Sequence, residues 1–139
     1  MREDIKELIR KRRHCVLATA LNNEPYCSLM AYTTNADCTH IFMVTYRSTR
    51  KFKNLTDNPR VSLLIDSRNS AEARALTVQG EVKEIRADAE KKKIREFLLN
   101  IHPHMQNFLD HPDAAYISIK IKSLIFLNGL TGAYYERID

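Results

Sequence analysis

Short apolar runs, bounded by turn residues, recur along the chain, which is the pattern of β-strands. The run at residues 115–127 is the clearest, because isoleucines alternate there with serine and lysine at the strand period of two. Gly80 interrupts another run and predicts a bulge or a close approach of two backbones. Six strands are predicted in all, at residues 14–21, 26–33, 40–45, 61–66, 74–85 and 115–127.

Apolar residues spaced three and four apart predict two longer helices, at residues 2–13 and 89–100. Asp88 is expected to cap the second of them. A short helix is predicted at 52–57, and a polar loop at 67–72. Helices do not alternate with every strand, which argues against a doubly wound sheet. The pattern indicates a mainly β fold with short helices, in which an antiparallel sheet curls into a barrel.

The connection between the third and fourth predicted strands carries the strongest chemical signal. It reads Ser48-Thr49-Arg50-Lys51, runs into the short helix and ends at Asn58-Pro59. Free backbone N–H groups, the positive end of a helix dipole and two cationic side chains could all contact one anion there. The sequence therefore predicts a phosphate-bearing ligand, although Arg50 and Lys51 could also be a solvated first helical turn.

Composition narrows the class of protein. The 139 residues, 44% apolar and 28% charged, suit one soluble globular domain spanning residues 1–139. No apolar run approaches the roughly 20 residues that a membrane span needs. The charged N-terminus lacks a signal-peptide core, and the three cysteines show no CxxC spacing. These features predict a cytoplasmic protein with reduced thiols and no membrane partner.

The net charge of +5 is concentrated in two basic groups, at residues 10–13 and at residues 47–60. Such groups can bind nucleic acid, bind a phosphate or simply face water. Aromatic residues do not interleave with the first group as a base-stacking surface would require, so a nucleic-acid partner is not expected.

Several of these segments together resemble the pyridoxamine 5′-phosphate oxidase-like FMN-binding split barrels, most clearly over residues 5–85. The resemblance implies a six-stranded antiparallel split β-barrel that forms a homodimer with FMN at the subunit interface. It also implies an oxidoreductase that acts on a small organic substrate by hydride transfer through FMN. The segments that carry it are Val16-Leu17-Ala18-Thr19, Pro25, Thr45, Arg50-Lys51 and Asn58-Pro59-Arg60-Val61-Ser62-Leu63.

The same resemblance assigns candidate FMN-binding residues. Arg50 and Lys51 would hold the phosphate, and Asn54 could either bond it or cap its own turn. Val44 and Thr45 would contact the phosphate or the ribityl chain. The second strand would lie along the flavin ring, although core packing explains two of its side chains, those of the methionine and the tyrosine, nearly as well. Its candidates are Ser28, Leu29, Met30, Ala31 and Tyr32.

Three features of the oxidases that act on pyridoxamine phosphate are missing. Residues 26–33 contain no lysine or arginine, and Ala75 stands near the position of a flavin-contacting glutamine. Residues 127–139 contain no counterpart of the arginine–histidine substrate motif. Oxidation of pyridoxamine phosphate is therefore not predicted, and no catalytic residue is identified.

A second hypothesis keeps the fold without catalysis, as a flavin- or haem-binding split barrel. A haem ligand would then be His14 or a histidine of the 102–111 loop. The spacing of His102, His104 and His111 also invites a metal site. No metal is predicted, because prolines flank these histidines and no cysteine or carboxylate completes a zinc pattern.

Overall fold

The computed structural model describes residues 1–67, 73–129 and 132–139, so the predicted loop at 67–72 lies almost entirely outside the described residues. The described strands are β1 (His14–Leu21), β2 (Glu24–Ala31), β3 (Thr33–Thr34), β4 (His40–Tyr46), β5 (Arg60–Ser67), β6 (Arg74–Ile85), β7 (Ala114–Asn128) and β8 (Ala133–Arg137). The described helices are α1 (Glu3–Lys11), α2 (Arg50–Asp57), α3 (Asp88–Ile101) and α4 (Gln106–Leu109), with a 3₁₀ turn at Pro103–Met105.

All of these strands belong to one antiparallel sheet in the order β2-β1-β5-β6-β7-β4-β3, and β8 pairs with the second half of β7. Strands β2 and β3 stand at the two ends of this order, yet only Tyr32 separates them along the chain. The chain itself therefore connects both ends. The sheet must curl to allow this, which gives the predicted split-barrel architecture.

The core fills the inside of the curled sheet. Alternate residues of the strands point inward and are buried, for example Leu17, Leu63 and Ile119. Helix α1 adds Ile5 and Ile9 to the same cluster. Burial of one such side chain contributes about 1.5–3 kcal/mol relative to its exposure. A smaller cluster lies on the outer face, where α3 and α4 cover the ends of β4, β6 and β7.

Gly80 confirms both expectations from the sequence. The register between β6 and β7 shifts between Gln79 and Gly80, which marks a bulge. A Cβ atom on Gly80 would lie 2.6 Å from Cγ2 of Ile119 and 2.9 Å from the carbonyl oxygen of Lys120. Only glycine fits this approach without a shift of the neighbouring strand.

The prediction of six strands was wrong in number, because β3 and β8 were missed. Strand β3 has two residues, too few for any period to show. The second strand is also displaced: it starts at Glu24 because Asn22 and Asn23, with φ of 52° and 65°, form the entire turn.

The prediction that Asp88 caps α3 was also wrong. Ala87 is the N-cap, no side chain closes that end, and Asp88 is the first residue of the helix. An acidic residue there still interacts favourably with the helix dipole. No described helix is long and apolar enough to cross a membrane.

Candidate functional site

The first turn of α2 offers donors to a ligand. Thr49 is the N-cap, and its side-chain oxygen accepts a hydrogen bond from the backbone N–H of Phe52 at 3.3 Å. The same hydroxyl donates to the carbonyl oxygen of Tyr46 at 2.7 Å, which fixes the turn. The described part of the chain provides no acceptor for the backbone N–H groups of Arg50 and Lys51. These two groups are free to bind an anion.

A cavity of about 610 Å³ opens beside this turn. The β1–β2 hairpin forms one wall with Leu21, Asn22 and Glu24. The opposite wall consists of residues 47–50 together with Lys53 and Asn54 of α2. The predicted site residues Arg50 and Asn54 thus meet in one cavity. Lys51 is half-buried in the same helical turn but outside the lining.

Most cations around the cavity already have carboxylate partners. Arg47 binds Glu84 through two hydrogen bonds of 3.2 and 2.6 Å, which lower the pKa of the Glu84 carboxyl. Lys53 pairs with Asp57 on the next turn of α2 at 3.2 Å. Lys51 has no hydrogen bond or ion pair to any described residue, so its charge is available to a ligand.

Ser48 is held from the opposite side by Asp113, which follows α4. The backbone N–H and the hydroxyl of Ser48 donate to the same carboxylate oxygen at 3.1 and 2.8 Å. These bonds lower the pKa of Asp113. The backbone N–H of Arg47 donates to the carbonyl oxygen of Asp113 at 3.0 Å. Asp113 therefore fixes the turn in front of α2 and occupies the Ser48 donors.

The other residues predicted for the phosphate end have different surroundings. The Asn54 amide is buried and donates to the hydroxyl of Thr19 at 3.2 Å, so it bridges α2 to β1 and does not cap its turn. Thr45 is buried, with its hydroxyl 3.3 Å from that of Thr49, which lines the cavity. The Val44 side chain packs in the smaller outer cluster with α3.

The candidates on the second strand do not reach this cavity within one chain. The side chains of Met30 and Tyr32 lie in the barrel core, and the Tyr32 hydroxyl donates to the carbonyl oxygen of Ile9. Ser28 and Ala31 are half-buried, whereas Leu29 is exposed. Met30 and Tyr32 could therefore reach a ligand only through their backbone groups.

Three histidines lie near one another, with the ring centroid of His102 5.5 Å from that of His14 and 6.4 Å from that of His104. His102 is buried, its Nε2 lies 3.2 Å from the carbonyl oxygen of Tyr32, and burial lowers its pKa. His111 stacks on Tyr46 at 4.5 Å, measured between ring centroids. Over residues 1–67, 73–129 and 132–139, no three histidine, cysteine or acidic side chains are grouped as metal ligands.

Sequence reasoning missed the acidic partners of the site, which are Glu84, Asp113 and Glu24, whose carboxylate binds the Arg50 guanidinium. Glu84 and Asp113 reach the turn from elements 37 and 65 positions away. No local pattern reports such contacts. The position of Glu24 could have been predicted, because a two-residue hairpin turn would have placed it opposite Leu21 as the first residue of β2.

Three solved structures share the fold at low sequence identity. A haem-binding protein from Mycobacterium smegmatis is 18% identical, with a TM-score of 0.83, covering 99% of this chain and 59% of that one. An FAD-binding protein from Mesorhizobium loti is 17% identical (TM-score 0.76; coverage 94% and 92%). General Stress Protein 26 from Bacillus anthracis is 20% identical (TM-score 0.77; coverage 98% and 97%).

This chain spans about three-fifths of the Mycobacterium protein, and identities this low establish a common fold only. No curated protein shows significant sequence similarity to the chain. The sequence profile described as pyridoxamine 5′-phosphate oxidase matches residues 1–128, nearly the whole length. The chain therefore belongs to the pyridoxamine 5′-phosphate oxidase family.

Proposed function

We propose that the protein binds FMN, with the flavin phosphate at the first turn of α2, and acts as an oxidoreductase on a small organic substrate. One observation carries the proposal: the backbone N–H groups of Arg50 and Lys51 have no acceptor among the described residues and lie beside a cavity lined by the side chains of Arg50 and Lys53. A phosphate accepts hydrogen bonds only, so this set of donors suits it. Family membership supports a flavin as the molecule that carries the phosphate.

The chain's own residues bind and orient this ligand. Thr49 and Asp113 fix the turn, Arg50 and Lys51 supply positive charge, and the β1–β2 hairpin closes the far wall. Bound FMN supplies the redox chemistry, which is hydride transfer to or from the substrate. Because the cofactor carries that step, no acid–base pair is required of the protein.

The outer face of the sheet supports the proposal of a homodimer. A single row of side chains, each paired with the next across the strands, runs over six strands of that face: Leu29, Val16, Leu64, Thr77, Ile125 and Tyr135.

This row is apolar except for Thr77, and Leu29, Ile125 and Tyr135 are 74%, 45% and 62% exposed. Contiguous apolar surface of this kind marks an interaction site. We take a second copy of the chain as its occupant, in line with the dimer implied by the family resemblance. Leu29 is the last residue of the row, so the interface would include β2. The candidate flavin residues of β2 do not line the cavity of their own chain, and at such an interface they would face the partner subunit.

The first experiment is the absorbance spectrum of the purified protein, with mass analysis of any released chromophore and titration with added FMN. Oxidised-flavin absorbance and the mass of FMN are the expected result. A Soret band would favour the haem hypothesis, and released FAD would correct the cofactor. Colourless protein that takes up no FMN would refute the proposal.

Ile125→Lys is expected to convert the dimer into a monomer, because it places a charge within the apolar row, between Thr77 and Tyr135. Sedimentation equilibrium measures the change as a halving of the mass in solution. Phe97→Lys is the matched control, since Phe97 on α3 is similarly exposed, at 40%, and lies away from the row. A dimeric Ile125→Lys protein would show that the interface lies elsewhere.

A further inference from the structure

One acidic side chain stands inside the cavity proposed for the phosphate. Glu24 is the acid in the cavity lining, and its carboxylate binds the guanidinium of Arg50 at 2.6 Å. The acids that pair with Arg47 and Lys53 differ from it, because Glu84 and Asp57 lie outside the lining. Arg50 therefore has a negative partner in the place where a ligand would bind.

The hairpin geometry fixes this partner. Leu21 and Glu24 pair directly across the β1–β2 turn. Asn22 and Asn23 both adopt left-handed φ values, of 52° and 65°, which is the two-residue turn that matches strand twist. The Arg50 guanidinium also lies 5.4 Å from the centre of the Tyr26 ring, on the same hairpin. The start of β2 thus holds Arg50 by two contacts.

A ligand can displace this pair. Arg50 and Glu24 are 54% and 70% exposed, and ion pairs so exposed contribute little because water screens them. A phosphate that binds Arg50 takes the place of the carboxylate and then lies close to it. Repulsion between the phosphate and the Glu24 carboxylate weakens the binding of negatively charged ligands, and it does not affect the neutral ring of a flavin.

We propose that Glu24 is a specificity-determining residue that competes with the flavin phosphate for Arg50, limits the preference for FMN over riboflavin, and keeps the bound flavin exchangeable. This inference rests on the proposed function, since it assumes that the phosphate binds at Arg50. It assigns a role to a residue outside the Arg50-Lys51 segment.

The test compares Glu24→Gln with the unaltered protein in titrations with FMN and with riboflavin, followed by flavin fluorescence. Glu24→Gln is expected to tighten FMN binding roughly three- to tenfold, with riboflavin affinity unchanged. Dissociation of FMN on dilution should slow by a similar factor. Glu7→Gln is the matched control, because it also removes one charge and one exposed ion pair, to Lys11 on α1.

Glu24→Ser removes the same carboxylate with a different side chain and should tighten FMN binding in the same way. If the unaltered protein binds FMN and both Glu24 variants bind it equally well, Glu24 does not compete and this inference alone is overturned. If FMN binds to none of these proteins, the proposed function falls and the inference falls with it. Equal tightening of FMN and riboflavin would also overturn it, since the effect would not then involve the phosphate.

Discussion

Replacement of Arg50 and Lys51 together by alanine is expected to weaken FMN binding by about 100-fold or more. Each side chain would make a charge-assisted hydrogen bond worth about 1.5–3 kcal/mol, and two of them correspond to at least a hundredfold in affinity. Loss of Arg50 would also leave Glu24 as an unpaired negative charge in the cavity, which repels the phosphate further. Fluorescence titration with FMN measures the loss.

Lys92→Ala with Lys93→Ala is the matched control, because it removes two adjacent exposed cations from α3, outside the cavity. Its FMN affinity should equal that of the unaltered protein. Lys53→Ala should cost less than Lys51→Ala, since Asp57 already neutralises Lys53. Unchanged FMN affinity in the Arg50 and Lys51 double variant would show that the phosphate binds elsewhere on the protein.

Much of the sheet could be predicted from the sequence because burial on one face imposes a local period. Strands β1 and β6 have the bounds that their apolar patterns indicate, and β7 differs by one residue at each end. Pairing is not local in this way. The break at Tyr32, where β2 ends and the chain continues into β3 at the other end of the strand order, leaves no mark in the apolar pattern.

Part of the candidate site could also be predicted, because that part is local in the sequence. The cations, the N-cap and the helix start lie within a few residues of one another, so one segment reveals them. Glu84 and Asp113 contact that segment from distant parts of the chain. In the proposed dimer, the flavin contacts of β2 are made to the cavity of the second copy of the chain. A single sequence does not show directly which surfaces two copies form together.

Gly80→Ala is expected to lower the free energy of unfolding by about 3 kcal/mol, at the upper end for overpacked sites. The added Cβ would lie 2.6 Å from Ile119 Cγ2, where a rotamer change could give relief, and 2.9 Å from the Lys120 carbonyl oxygen, where none can. Strand β7 would have to shift, and β4 is paired with that same stretch. Urea denaturation measures the loss as a lower midpoint.

Gly132→Ala is the control for this substitution, because no atom of the described residues lies within 4 Å of a Cβ at that position. It makes the same chemical change and should stay within about 0.5 kcal/mol of the unaltered protein, as exposed substitutions usually do. Equal stability of the two variants would mean that β6 and β7 do not approach each other as closely as described. A selective loss in Gly80→Ala would confirm that β7 lies too close to Gly80 for a side chain, at the bulge where the register of these two central strands shifts.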